Sequence, residues 1–170
     1  MILMIILKQD FFEQECSTVA KKLLGKRLHC RGKSGIITET EAYIGQDDPA
    51  CHAAKGLTPR TKVMFGPAGH IYVYLIYGMY YCLNFVTEKV DFPAAVLIRG
   101  VYVDKEEKHY DGPGKLCKFF EIDKSYNGLK LGIENNLYLE DENLNVDYET
   151  TPRIGIKVGK DKYWRYIAKF

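Results

Sequence analysis

The run His70-Ile-Tyr-Val-Tyr-Leu-Ile-Tyr-Gly-Met-Tyr-Tyr-Cys-Leu-Asn-Phe85 decides the fold, because it carries two strand signals back to back. Ile71 to Ile76 and Tyr81 to Phe85 are rich in β-branched and aromatic residues and meet at Tyr77-Gly78-Met79. Glycine supplies turn conformations that a side chain resists, so the run predicts a β-hairpin with Tyr77 at or near its tip. Five tyrosines stand where leucine or valine would bury equally well without a hydroxyl to satisfy. Alternation places Tyr72 and Tyr74 on one strand face, while a residue at the tip is hard to bury at all.

Outward from the hairpin, strand signals recur between Gly and Asn/Asp punctuation, which predicts a β-rich chain with few helices. Gly35-Ile-Ile-Thr-Glu-Thr-Glu-Ala-Tyr-Ile44 alternates as a strand would, putting Ile37, Glu39, Glu41 and Tyr43 on one side. Ala94 to Val103 reads as a strand that is apolar except for Arg99, and Ile154–Val158 with Tyr163–Ala168 as a late pair. The apolar start Met1 to Leu7 is too short for the about 20 residues of a membrane span and is read as a buried strand. Ser17 to Gly25 is expected to be a short helix capped by Ser17, with Val19 and Leu23 inward; Gly112 to Phe120 is expected to be another, with Pro113 at its first position.

At 170 residues the chain suits one domain spanning 1–170, and no repeat or linker divides it. The net charge of +2 is too small to require a polyanionic partner, but its distribution is uneven. Glu134 to Glu149 is acidic without a Lys or Arg, whereas Arg153 to Lys169 is basic. Five scattered cysteines and four histidines show no Cys-x-x-Cys or His-Glu-x-x-His spacing, so reduced thiols in an intracellular protein, no metal and no cofactor are expected.

Several residues could carry chemistry. Glu39 and Glu41 sit two apart on a strand, where close like charges raise one pKa toward proton transfer; a solvated strand face is the plainer reading. Arg99 offers a partner to a buried carboxylate or a structural ion pair. Gly112-Pro-Gly-Lys115 presents unpaired helix amides and a cation to an anion, or is simply a helix start. His52 lies in a small-residue loop and alone is read as structural. An exposed Tyr77 among Arg60, Lys62 and Lys115 suits stacking on nucleobases with cations on phosphates, although many aromatics in a β protein are ordinary core.

Glu39-Thr-Glu-Ala-Tyr43, Thr58-Pro-Arg60, Met64-Phe65, Ile71 to Tyr80, Asn84, Val96-Leu-Ile-Arg99 and Gly112 to Cys117 together resemble the alkyladenine (3-methyladenine) DNA glycosylase family of base-excision repair. The similarity runs from Asp10-Phe-Phe12 to Trp164-Arg-Tyr166. It implies an α+β, β-rich single domain with a curved antiparallel, open-barrel-like sheet, a protruding hairpin and a few short helices. It implies that Glu41 activates the water replacing the excised base, with Arg99 near that water and the sugar-phosphate. Tyr43, His52 and Tyr74 would wall the base pocket, and Asn84 would disfavour unmodified guanine. Tyr77 would enter the minor groove with Met79 beside it, leaving Tyr72, Tyr80 and Tyr81 as packing residues; Arg60 and Lys115 would contact phosphates.

The implied protein is a monomeric, monofunctional glycosylase acting on double-stranded DNA containing a damaged purine (3-methyladenine, 7-methylguanine, hypoxanthine or ethenoadenine). It would be cytoplasmic in a prokaryote or nuclear in a eukaryote. Relatives continue past the Trp164-Arg165-Tyr166 match, so the last strand is expected to be cut short, and the main-chain contact to the water is assigned to no residue. Lacking the long N-terminal extension of some eukaryotic relatives, the chain is expected to be a compact prokaryotic form. A non-catalytic nucleic-acid-binding β module and a glycosylase/lyase with an amine nucleophile are the competing readings; the first has no need of a buried carboxylate, and the second requires a lysine.

Overall fold

A computed structural model describes residues 3–170. Along the chain run β1 (Ile5–Ile6), α1 (Gln9–Phe12), α2 (Cys16–Leu23), β2 (Arg27–Cys30), β3 (Lys33–Ile44), β4 (Ile71–Ile76), β5 (Tyr80–Val86) and β6 (Ala94–Val103). There follow β7 (Lys108–Asp111), α3 (Pro113–Phe120), β8 (Leu137–Asp141), β9 (Asp147–Thr151) and β10 (Arg165–Lys169). One antiparallel sheet holds every strand, in the order β1-β8-β2-β3-β6-β5-β4, with β10 bridging β3 to β9 and β7 added to β6.

The two longest strands shape the sheet. β3 pairs with β6 along one edge, while its other edge serves first β2 and then β10. β6 likewise serves β5 near its start and β7 near its end. The sheet therefore splits into wings and curls into a half-barrel. At the split, Thr38 and Arg99 are extra residues in the β3–β6 ladder, where the register slips by one on each strand. Such bulges reverse which face later side chains occupy. Ile37 and Val101 consequently point into the main core with Ile98 and Ala42, whereas Glu39, Glu41 and Tyr43 lie on the other face. The expected single face of Ile37, Glu39, Glu41 and Tyr43 is corrected by this bulge.

α2 and α3 close the core. Val19, Ala20 and Leu23 of α2 and Leu116, Cys117 and Phe120 of α3 are fully or almost fully buried against the sheet. Pro113 opens α3, and its fixed φ suits the first turn. α2 begins two residues earlier than expected, with Glu15 instead of Ser17 at its cap position; Ser17 lies inside the helix and donates its hydroxyl to Glu15 Oε1 at 2.8 Å.

Two further expectations are corrected. The described part of the N-terminal run is an exposed sheet edge, not a buried strand: Leu3, Met4 and Ile5 face outward, and Met1 and Ile2 lie outside the described residues. The late pair is β9 with β10, and residues 154–158 form an irregular segment instead of a strand. The acidic stretch lies beside β2, where Asp141, Glu140 and Glu142 meet Lys26, His29 and Arg27. All five cysteines are free and buried. Among the described residues no helix is long and apolar enough to cross a membrane.

Candidate functional site

The site sits where the bulged centre of the sheet meets the β4–β5 hairpin. A cavity of about 610 Å³ opens there, lined by Tyr43, His52, Arg60, Tyr72, Tyr74, Tyr77, Cys82, Asn84, Arg99 and the segment Ile154-Gly155-Ile156, among others. Openings of roughly 300–1,000 Å³ suit small ligands. Of the candidates named from sequence, Tyr43, His52, Arg60, Tyr74, Tyr77, Asn84 and Arg99 thus come together around one space.

Glu41, from the middle of β3, is inaccessible to solvent. Its Oε1 accepts the Tyr43 hydroxyl at 2.8 Å and its Oε2 accepts the Ile154 backbone N–H at 2.7 Å. Arg99 Nε stands 3.8 Å from Oε2. Burial pushes the Glu41 carboxyl above the usual range, while Arg99, the Ile154 amide and the Tyr43 hydroxyl pull it back toward the charged form. Glu39 is tied up elsewhere: Arg165 Nε donates to it at 2.5 Å, and Arg99 Nε lies 3.4 Å away. Arg99 Nε is buried without a hydrogen bond and is poised between these carboxylates.

The walls are aromatic. The His52 and Tyr74 rings pack edge to face with centroids 4.4 Å apart, and His52 Nδ1 meets the Tyr72 hydroxyl at 3.0 Å. Burial and the nearby Arg60 cation lower the His52 pKa to about 4, so its imidazole is neutral at neutral pH. Arg60 itself lies over the Tyr74 ring at 5.5 Å. Asn84 is buried on β5 and donates to the Tyr72 carbonyl at 3.1 Å. Cys82 borders the cavity, but burial pushes its thiol up to about 11, leaving it protonated and weakly nucleophilic.

The hairpin turn projects beside this cavity. Tyr77 and Gly78 have φ of 51° and 63°, the pattern of a tight hairpin turn closed by the Met79 N–H on the Ile76 carbonyl at 3.1 Å. Tyr77 is 86% exposed and Met79 66%. Tyr81 packs against the core and Tyr72 is buried, as expected, but Tyr80 is half exposed. Its ring crosses α3 where Gly114 has no side chain; a Cβ there would come within 2.9 Å of the ring. Lys115 does not reach the cavity lining: it is exposed and pairs with Asp111 at 2.9 Å.

Sequence reading missed Asp48, Arg153 and Ile154. Arg153 and Asp48 form a fully buried ion pair at 2.6 Å behind Tyr43. Its only trace in the sequence is Arg153 at the head of the basic stretch, and nothing there names a partner 105 positions away. Among the described residues, no three His, Cys, Asp or Glu side chains converge as metal ligands would.

A buried carboxylate directly behind the lining of a tyrosine-walled cavity, held by the lining residues Tyr43 and Ile154 and set beside a hairpin tip of exposed apolar side chains, is the arrangement of a base-excising enzyme of the DNA glycosylase class. The profile of the methylpurine-DNA glycosylase family matches residues 10–169. A Rickettsia felis protein provisionally named 3-methyladenine DNA glycosylase is 58% identical over 97% of this chain and 94% of its own length. An Ehrlichia chaffeensis protein of the same name is 56% identical over 95% of this chain and 92% of its own length. The chain belongs to the methylpurine-DNA glycosylase family and is a DNA glycosylase of base-excision repair.

Proposed function

We propose that residues 1–170 work as one monomeric glycosylase domain that takes a damaged purine out of duplex DNA and hydrolyses its N-glycosidic bond with a water activated by Glu41. The observation that carries this is the Glu41 carboxylate, buried under an aromatic cavity, with one oxygen held by Tyr43 and the other by the Ile154 amide. Each oxygen retains a lone pair for a water. As the bond from the base nitrogen to C1′ breaks, the base leaves with the electron pair and positive charge grows on the sugar. Glu41 stabilises that charge, and it accepts the proton released when water adds to C1′.

Tyr43, His52 and Tyr74 stack on the flipped base. A cationic alkylated purine over an electron-rich tyrosine gains about 0.5–2 kcal/mol, and a neutral His52 adds no positive charge to a cavity already lined by Arg60 and Arg99. Asn84 crowds the exocyclic amino group of unmodified guanine, and Arg99 steadies the sugar-phosphate. Tyr77, with Met79 beside it, occupies the gap left in the duplex and offsets part of the few kcal/mol that flipping costs. Arg60 and Lys115 lie along phosphates. Substrates are the class of 3-methyladenine, 7-methylguanine, hypoxanthine and ethenoadenine. Among the described residues no lysine lines the cavity, which supports hydrolysis to an abasic site without strand cleavage. A cytoplasmic, DNA-associated setting fits the bacterial relatives.

The test is single-turnover excision from a duplex carrying one alkylated purine or hypoxanthine. Glu41→Gln is expected to lose about 10²–10⁴-fold in rate while still binding the lesion; a full rate would overturn the mechanism.

A further inference from the structure

The Asp48–Arg153 pair holds two charges out of water, which is costly unless the pair fixes a geometry the protein needs. Arg153 Nη1 donates to Asp48 Oδ2 at 2.6 Å and to the Ala42 carbonyl at 3.0 Å; Nη2 donates to Asp48 Oδ1 at 2.9 Å and to the Gly159 carbonyl at 3.4 Å. Asp48 in turn accepts the Ile44 and Ala50 backbone amides. The guanidinium lies between two rings, its centre 4.7 Å from that of Tyr43 and 5.1 Å from that of Trp164. One side chain therefore ties β3 to the irregular segment that follows Thr151.

Both groups that hydrogen-bond Glu41 hang on this anchor. Ile154, whose amide reaches Glu41 Oε2, is the next residue in the chain, and Tyr43, whose hydroxyl reaches Oε1, is the ring beneath the guanidinium. We propose that Arg153, held by Asp48, is a positioning residue that sets the orientation of Glu41 by fixing the Ile154 amide and the Tyr43 ring. This rests on the reading of Glu41 as the base. The other charged or titratable groups around Glu41 are Glu39 on its own strand, Arg99 on β6 and Cys82 on β5, with Arg165 on β10 bound to Glu39. Of the hydrogen bonds to Glu41, the Ile154 amide is the one that comes from outside β3. Losing it removes a donor that favours the ionised base.

The experiment measures pH profiles of single-turnover excision for Arg153→Lys and for the double variant Asp48→Leu/Arg153→Met, which leaves no orphaned charge. Lysine keeps a cation opposite Asp48 but cannot span Asp48 and both carbonyls with a fixed fork. In folded protein the rate at neutral pH should fall about ten- to a hundredfold, and the acid limb should move up by roughly half a pH unit or more, with Arg153→Lys intermediate. A wild-type rate and acid limb in either folded variant would overturn the proposal. So would a fall in rate with the acid limb unmoved, which marks a merely structural pair. If the double variant fails to fold, Arg153→Lys decides by the same two readings. Glu41→Gln runs alongside: full activity there removes the base itself, whereas an inactive Glu41→Gln beside unaltered Arg153 variants removes this inference alone.

Discussion

Tyr43 and Tyr77 show how the same residue type serves opposite ends of one site. Tyr43 is wedged between the Arg153 guanidinium and the cavity, and its hydroxyl is committed to Glu41. Tyr77 is 86% exposed, in a left-handed backbone conformation that only the turn imposes. At the floor, both oxygens of Glu41 accept hydrogen bonds from within the protein, so the carboxylate is already oriented before a substrate arrives. At the tip, apolar surface is left open, and the Tyr77 side chain is held outward by the residue's left-handed turn conformation. On the proposed function, chemistry at the floor would depend on internal contacts, and recognition at the tip on contacts that DNA supplies.

That contrast can be broken or sharpened experimentally. The largest effect belongs to the floor, where Glu41→Gln removes the base while the melting temperature stays the same or rises. The direction follows from the raised pKa: the wild type loses stability as pH rises through the folded pKa, because burial penalises the ionised form, and the neutral Gln escapes that loss, so the variant's gain appears above that pH and vanishes at low pH. The wild-type excision rate should accordingly fall on the acid side at a pH above the ordinary carboxylate value of 4.5.

Next comes Asp48→Ala, which leaves Arg153 buried without its counter-ion and should cost about 3–5 kcal/mol of stability in urea unfolding. A loss well below that would show that solvent reaches the guanidinium. Tyr77→Ala should weaken lesion binding and excision about tenfold, within the few kcal/mol assigned to flipping, with the unfolding midpoint unchanged. Tyr77→Gly should instead raise stability, by about 1 kcal/mol or less, yet lose the same binding. Equal affinity in either variant would sink the wedge assignment.

The smaller effects concern the margins. His52 stays neutral down to about pH 4, whereas an ordinary histidine titrates near 6.5. The unfolded chain thus gains a proton first, and stability should be lost as pH falls from about 6.5 toward 4; an NMR titration of the His52 ring reads the same pKa directly. Lys115→Ala should leave unfolding unaltered, because its ion pair with Asp111 is solvated. If Lys115 meets a phosphate, the salt dependence of DNA binding should fall by about one counter-ion; an unchanged slope would remove it from the interface.

The local signals in the chain were enough for the hairpin, for β6 and for α3. Gly78 between two β-prone runs, the apolar run Ala94 to Val103 and a proline at a helix start each act over a few residues, so they are legible one window at a time. Where the expectation failed, a distant partner had intervened. Thr38 is squeezed out of the β3–β6 ladder and reverses the face of Ile37. Residues 154–158 leave the strand conformation where Arg153 is drawn to Asp48. Tyr80 rests its ring on Gly114 of α3, outside any local window of the chain, and its other face stays exposed.

By itself the sequence determined the β-rich class, the exposed tip at Tyr77 and, through the family resemblance, which carboxylate to examine. Alternation, turn chemistry and residue type are properties of neighbours along the chain, and they survive without coordinates. Only the tertiary structure decided which groups meet Glu41. The Ile154 amide lies 113 positions from it, and Asp48 lies 105 from Arg153. Contacts over such separations are fixed by how the sheet curls and where its ladder slips, and no local pattern in one sequence encodes them.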